Sequence, residues 1–445
     1  MGFRMFYKQK EVNKLMKKIF CEAKKILYNE NNKPFVVLLF CSIIIHWFLP
    51  LNWADDAIFF RKSVNLDFCE FLKGSARPII DSFTYFFALF PFLWRIINPI
   101  ILTSFSLIVS KLVSCVHEKE NNIFICCSIL YPSMVVVDAG FIATTLNYLW
   151  AVTFGLFTLI PVKKYMIGNK VAPYEFLLTL PFLLYATNMQ QMAVVLTVIF
   201  LGINVYLVLS KRFNVFILIQ FAVALGGLAW SFCLNMFGEN NRMLREAGRY
   251  FPTFTELNVI EKLELGFSST FFSLTMNPHF AMLPFFSFAV FISVILIKKK
   301  RSPIICATSF LPPLFVAIMA VLRFVPESSF YEFITGGMRY YCMEKAAYSF
   351  EPVPDIVFLI VIAIVLLSLY QAFDNKKTFF ISFIVLCFGL GSRLMMGLSP
   401  TVWASGHRTF FIMFLALIIV LIKIIDENFI VTKKEGDFER IQRIE

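Results

Sequence analysis

The run Pro34-Phe35-Val36-Val37-Leu38-Leu39-Phe40-Cys41-Ser42-Ile43-Ile44-Ile45-His46-Trp47-Phe48-Leu49-Pro50 decides the class of fold. It holds no Lys, Arg, Asp or Glu, and it has the length a helix needs to cross ~30 Å of hydrocarbon. It does not alternate apolar and polar residues as a barrel strand would. No small-residue cleavage site follows it, so it reads as an uncleaved first span rather than a removable signal. Before it, residues 1–33 carry nine Lys and Arg, and Val12–Ile26 has the basic amphipathic pattern that lies on an anionic leaflet. The positive-inside rule puts this end in the cytoplasm.

The rest of the chain repeats the theme. Of its 445 residues, 59% are hydrophobic and 16% charged, with 55 Phe. A soluble domain is nearer 45–50% apolar and about 25% charged. No aqueous surface could hide the excess, which excludes a soluble enzyme, a disordered chain and a disulfide scaffold. Expected spans cover 34–50, 96–116, 123–138, 142–162, 173–187, 190–209, 214–236, 279–297, 303–323, 354–373, 378–397 and 408–425. This predicts an all-α polytopic membrane protein of about twelve transmembrane helices with both termini cytoplasmic. Residues 34–425 form one transmembrane domain, between a basic segment, 1–33, and a cytoplasmic tail, 426–445. The inside turns then contain Lys119; Lys163, Lys164 and Lys170; Lys211 and Arg212; Lys298–Arg301; and Lys376 and Lys377. The net charge of +12 is therefore a topology signal, not a sign of a nucleic-acid partner. Residues 79–94 are apolar but closed by Arg95, and read as an amphipathic helix along the outer surface.

Three external segments are long: 51–95, 237–278 and 324–353. They mix aromatic and charged residues, among them Trp53, Arg61, Arg77, Arg245, Arg249, Arg339, Tyr340 and Tyr341. Loops on a rigid scaffold are where function concentrates. Most of the ten Cys fall in spans as small apolar packers. Cys69 and Cys342 lie in external loops, where they either pair or remain free thiols. The four His show no ligand spacing, and no HExxH, CxxC or P-loop pattern occurs. Neither a metal nor another cofactor is expected.

The chemistry-bearing stretch is Leu51-Asn52-Trp53-Ala54-Asp55-Asp56-Ala57-Ile58. Two adjacent carboxylates stand just outside the first span. Asp is also a favoured helix cap, so a purely structural role competes. Partial burial and the like charge next door would raise at least one pKa, and such a carboxylate can take a proton from a hydroxyl nucleophile. Further on comes Gly74-Ser75-Ala76-Arg77-Pro78, where Arg77 offers a planar fork suited to phosphate or, alternatively, an interfacial anchor.

These motifs together resemble the bacterial polytopic membrane glycosyltransferases of the GT-C type, in particular the O-antigen glucosyltransferase (serotype-converting) group and its polytopic relatives. Thr145-Leu146-Asn147-Tyr148-Leu149-Trp150 looks like their Asn-Tyr-Leu-Trp element. Gly238-Glu239-Asn240-Asn241-Arg242 resembles a Gly-Asn-x-x-Arg element, interrupted here by Asn241. Ser399-Pro400 with Arg408 resembles a Ser-Pro…Arg element before the last span, although His407 is not part of the pattern. The resemblance runs from about residue 34 to 425. It implies an inverting transfer of a sugar, glucose in that group, from a polyprenyl-phosphate donor on the periplasmic face of the bacterial inner membrane. The acceptor would be a lipid-linked or surface glycan such as the O-antigen of lipopolysaccharide. Carried over residue by residue, Asp55 and Asp56 are base candidates. Arg77, Arg242 and Arg408 would contact phosphate or glycan, and Asn147, Tyr148 and Trp150 would line the site.

Arg393 lies inside an expected span, where charges are costly and often face a cavity, so it joins the phosphate or glycan contacts. Tyr148 and Trp150 also fit an interfacial aromatic belt. Asn188, Gln190 and Gln191 read as a plain turn, and Glu239, Glu246, Glu344 and Asp355 are further external acids. An O-antigen polymerase or ligase would use the same donor and face. A glycolipid flippase or transporter matches the span count, but no two similar halves are visible.

Overall fold

A computed structural model of the chain describes residues 29–442, apart from 114, 116, 136–138, 237–241, 277–281, 297–302 and most of 323–351. The amphipathic segment over 12–26, residues 238–241, Arg339–Tyr341, Glu344 and Cys342 lie outside the described residues. Among those described there are helices and turns and no strand.

The opening run is helix α1, Lys33–Phe48. Pro34 suits its first turn, where a missing N–H costs nothing, and Leu49 turns extended ahead of Pro50. The carbonyls left over at its end are taken by Arg95: the guanidinium donates to His46 O, and at 2.8 Å to both Trp47 O and Leu49 O. Short helices follow, α2 (Ala54–Asn65), α3 (Phe68–Leu72) and α4 (Pro78–Leu89). The helix expected over 79–94 thus ends at Leu89. Pro91 starts a new one, α5 (Pro91–Val113), to which Trp94 and Arg95 belong. With twelve residues, α4 is about 18 Å long, too short to cross a bilayer. It buries Ile80, Thr84 and Phe87 and exposes Phe83 and Phe86.

The chain then runs through α6 (Glu118–Val135), α7 (Phe141–Met166), the broken pair α8 (Pro173–Leu177) and α9 (Leu180–Thr187), α10 (Gln190–Leu209), α11 (Val215–Met236), α12 (Arg242–Tyr250), α13 (Val259–Met276), α14 (Met282–Leu296), α15 (Pro303–Leu322), α16 (Pro352–Ala372), α17 (Lys376–Leu394) and α18 (Phe411–Gln442). Among the described residues nine helices are long and apolar enough to cross a membrane: α1, α5, α7, α10, α11, α15, α16, α17 and α18 with its leading turn. The chain is therefore a multi-pass helical membrane protein in its architecture. The other expected spans correspond to weaker helices. α6 opens on Glu118, Lys119 and Glu120; 173–187 breaks between α8 and α9, with Pro181 beginning the second half; and α14 has 15 residues. α13 is a full helix inside the segment expected as the loop 237–278.

Two helices are central. For α18, 83% of the most apolar stretch is enclosed, and for α7 67%, against 22% for that of α1. An α-helix whose surroundings are all protein is a pillar; one that exposes Phe40, Ile44 and Trp47, as α1 does, faces lipid. The molecule also has two chemically distinct ends. At one, Lys163 donates to Lys111 O and Leu112 O, Arg212 donates to Tyr165 O, Lys119 pairs with Glu30, and Asn121 donates to Asp426. The other end gathers the start of α2, the first turns of α7 and α18, and the last turn of α17.

Candidate functional site

The two neighbouring aspartates do opposite things. Asp56 is 1% exposed, and its oxygens face the start of α7. Oδ2 accepts from the N–H groups of Phe141 (2.6 Å) and Ile142 (3.0 Å), and Oδ1 from Ala143 (2.9 Å). The first N–H groups of a helix have no partner within it, and their dipoles favour a negative charge there. Asp56 supplies both from a distant part of the chain. Burial pushes its carboxyl above the ordinary value, with the three N–H donors working against that rise. Gly140 permits the approach. Its φ is +113°, and a Cβ there would sit 2.9 Å from the Asp56 carboxyl carbon.

Asp55 instead keeps a side chain 42% exposed and pairs with Arg408, Nη1 to Oδ2, at 3.1 Å. The residue before it, Ala54, holds a left-handed backbone with φ +49°. Such a conformation in a non-glycine residue costs about 1–3 kcal/mol and persists only where the surroundings impose it. Here the constraint is visible: Trp53 packs edge-on against Phe141, 6.0 Å between centroids, and Asp56 is bonded to the same turn. As consecutive residues in the first turn of α2, Asp55 and Asp56 leave the helix about 100° apart.

Arg408 belongs to a short turn, His407–Phe410, that leads into α18, and its Nε donates to Ser405 O at 2.9 Å. The same turn carries Phe410, whose ring lies 4.5 Å from the Arg393 guanidinium carbon. Arg393, in the last turn of α17, is 1% exposed. Its Nη2 makes only long bonds, 3.4 Å to Ser269 Oγ and 3.4 Å to Val402 O, and its Nε and Nη1 meet no hydrogen-bond partner among the described residues. A buried cation without a counter-charge is expensive, several kcal/mol in real proteins. The Tyr148 phenol is within electrostatic reach of it.

Tyr148 sits in Thr145–Trp150, a six-residue π-helical stretch within α7. Such wide turns are rare and occur often at functional sites. Asn147, in the same stretch, donates from Nδ2 to Ala143 O at 2.6 Å, and its buried Oδ1 has no partner among the described residues. Trp150 turns the other way. It is buried, its Nε1–H donates to Asn98 Oδ1 at 2.8 Å, and its ring packs among Phe87, Phe154 and Tyr185. Arg77 caps α4 at its start, with its backbone N–H bonded to Ser75 Oγ. Arg242 opens α12, and its side chain lies outside the described residues.

The structure thus pairs Asp55 with Arg408, sets Arg393 against Phe410 of the same turn as Arg408 and within electrostatic reach of Tyr148, and holds Asp56 and Asn147 against the backbone of the first turns of α7. Gln191, read from the sequence as part of a plain turn, lies instead in the first turn of α10, and it and residues of α13 pack around these groups. Gln191 donates from Nε2 to Ser392 O and Thr409 O, tying α10 to both arginine-bearing turns. α13 contributes Ser269, and beside it Ser268, whose hydroxyl bonds Glu264 and lies 2.9 Å from Asp355 Oδ1. Glycines let α13 cross the 395–398 turn: a Cβ on Gly397 would fall 1.9 Å from Lys262 O. Among the described residues no three His, Cys, Asp or Glu side chains gather as metal ligands would. No family model matches the chain, no curated protein matches it and no solved structure matches it.

Proposed function

We propose that the chain is a transferase that moves a sugar, glucose by the resemblance above, from a polyprenyl-phosphate donor to a surface glycan such as O-antigen. In this reading it has about twelve spans, both termini are cytoplasmic, and the site opens on the periplasmic face of the inner membrane. The observation that carries the proposal is the Asp55–Arg408 ion pair on the turn whose Phe410 ring lies against the buried Arg393 guanidinium. A glycosyl transfer from a lipid phosphate needs one base for the acceptor hydroxyl and fixed positive charge for the departing phosphate. Asp55 is exposed enough to meet a hydroxyl. Asp56 has both oxygens engaged by backbone N–H groups. One available carboxylate in the pair suits a single displacement with inversion, since retention needs a second carboxylate as nucleophile. Asp55 is therefore the base and Asp56 the residue that positions it.

Surface glycan composition tests the reading. Cells lacking the protein should lose one hexose per glycan repeat without a change in chain length. Wild-type protein should restore that hexose, and Asp55→Asn should not. A change in chain length would favour a polymerase or ligase instead. A glycolipid flippase or transporter is favoured by one feature, the Glu264–Ser268–Asp355 group beside the first turn of α16, because paired carboxylates can pass a proton. Flux of labelled glycolipid through proteoliposomes without new glycosidic bonds would support that alternative.

A further inference from the structure

A cavity of about 330 Å³ lies at the lysine-bearing end of the bundle, enclosed by the turn that opens α1, the last turns of α5 and the first turn of α6. Its wall runs from polar to apolar. Lys111, Glu118 and Asn32 stand at the ends of these helices. About one turn further in, Leu107 and Phe35 line it, and they pack with Leu38 and Cys126 into a small apolar cluster. The wall is braced. Ser110 Oγ donates to Asn122 Oδ1 at 2.6 Å, Asn122 Nδ2 to Asn31 O at 2.8 Å, and Asn31 Nδ2 to Glu118 Oε2 at 2.8 Å. Asn122, part of the wall, is 4% exposed. Beside the cavity the bundle turns apolar side chains outward: Val37 and Phe40 on α1, and Ile123 on α6. The surrounding charge is mostly positive. Lys163 donates to Lys111 O and Leu112 O, and Glu30 lies between Lys33 and Lys119. Cys115, also in the wall, has Asp426, Lys423, Lys163 and Glu118 within electrostatic reach, and burial pushes its thiol up to about 11, so it adds no negative charge.

We propose that this cavity is a lipid headgroup site, which takes the phosphate of a glycerophospholipid on Lys111 and the amine of its ethanolamine headgroup on Glu118. Basic pockets between transmembrane helices at the cytoplasmic side suit such headgroups. An ammonium carries three N–H donors, so Lys111 keeps hydrogens for a phosphate whatever else it meets, and the bond is charge-assisted. Glu118 accepts from Asn31 through Oε2, which leaves Oε1 for the amine. The order of the wall selects a lipid over a soluble phosphoamine. Headgroup, glycerol and chains follow one another as Lys111 and Glu118, then Leu107 and Phe35, then the outward Val37, Phe40 and Ile123 do. A soluble phosphoamine has nothing to set against Leu107 and Phe35. The volume is at the small end of ligand cavities, ~300–1,000 Å³, which suits a headgroup and glycerol with the chains outside. A lipid so placed bridges α1 to α5 and α6 and fixes the depth of the first span. The inference stands on the bundle and its charged end, not on the transferase reading.

Native mass spectrometry of the full-length protein in detergent, titrated with dioleoyl phosphatidylethanolamine, reads this through the adduct of one lipid. A saturable adduct should form with that lipid and not with dioleoylglycerol, which lacks the headgroup. Lys111→Gln, at an exposed position, should require at least about tenfold more lipid, as loss of one hydrogen bond to a charged group gives. Glu118→Gln should weaken the adduct with phosphatidylethanolamine and leave that with dioleoyl phosphatidylglycerol, which has no amine, unchanged. Leu107→Trp should fill the cavity and prevent the adduct with every charge in place; if it fails to fold, the two charge variants carry the test. Phosphoethanolamine that binds as tightly as the lipid overturns the lipid assignment and leaves the cavity to a soluble ligand. Adducts of equal strength in the wild-type protein and in all folded variants overturn the proposal, because the lipid then sits elsewhere, and so does the lack of any saturable adduct.

Discussion

At the residue scale, Asp55 and Asp56 separate two quantities that usually fail together in a mutant. Asp56→Ala leaves three buried N–H groups without an acceptor and should lower stability by about 3 kcal/mol, read as an earlier unfolding transition of the protein in detergent. Asp55→Asn breaks one partly exposed pair and should change stability by about 1 kcal/mol or less, while slowing transfer by about 10²–10⁴-fold. If instead Asp55→Asn unfolds the protein and Asp56→Ala leaves it stable, the division of roles is wrong. The sequence showed the pair as two equal candidates beside a span, because adjacent residues share composition, hydropathy and neighbours. Their difference comes from the packing of α2 on the first turn of α7, which encloses Asp56 and leaves Asp55, about 100° round the helix, to meet Arg408. Arg393 was legible as a charge within a span, but that no carboxylate among the described residues bonds it depends on helices far away in the chain.

At the element scale, the first turn of α7 is the piece on which the site stands. It is held from α2 by Asp56 and Trp53, opens at Gly140, and widens into the π-helical stretch that carries Asn147 and Tyr148. Gly140→Ala meets both a disfavoured φ and the Asp56 carboxyl, and should cost about 1–3 kcal/mol and reduce transfer together with stability. Arg95→Met should free the end of α1 and lower the unfolding transition, with an effect of about 1.5–3 kcal/mol for the loss of a charged hydrogen-bonding group; an unchanged transition would mean that water replaces the cap. Helix positions were readable where apolar length was uninterrupted, as in α1, α10 and α16. They were not readable where polar residues belong to a packed helix. Glu261, Lys262 and Glu264 break the hydropathy of α13, so a helix that holds Ser269 against Arg393 looked like a loop. The π-helical widening leaves no mark in periodicity over six residues.

At the scale of the whole molecule, the sorting of charge visible in the sequence corresponds to two ends of one bundle. Lys111, Lys119, Lys163 and Arg212 stand at one end, and Asp55, Arg393 and Arg408 at the other. Composition and charge alone were enough for the class of fold, since no other class hides 59% apolar residues. They were not enough for the count of spans, because α6, α8, α9 and α14 are short or carry charge and owe their place to packing. The positive-inside rule gives the orientation a direct test. A cysteine replacing Asn65, in α2, should react with an impermeant maleimide on intact spheroplasts, and one replacing Lys170 should react only after lysis. The opposite pattern would invert the molecule and remove the site from the outer face.

The central claim is that Asp55 takes the proton from an acceptor hydroxyl while arginines hold the leaving phosphate. Its most direct test is the rate of sugar transfer from labelled polyprenyl-phosphate glucose to membrane glycans, measured for wild-type, Asp55→Asn and Arg393→Met proteins of matched thermal stability. Loss of the base should slow transfer by about 10²–10⁴-fold at saturating donor, and loss of Arg393 should act through the donor concentration required. Transfer by Asp55→Asn at the wild-type rate would contradict the account.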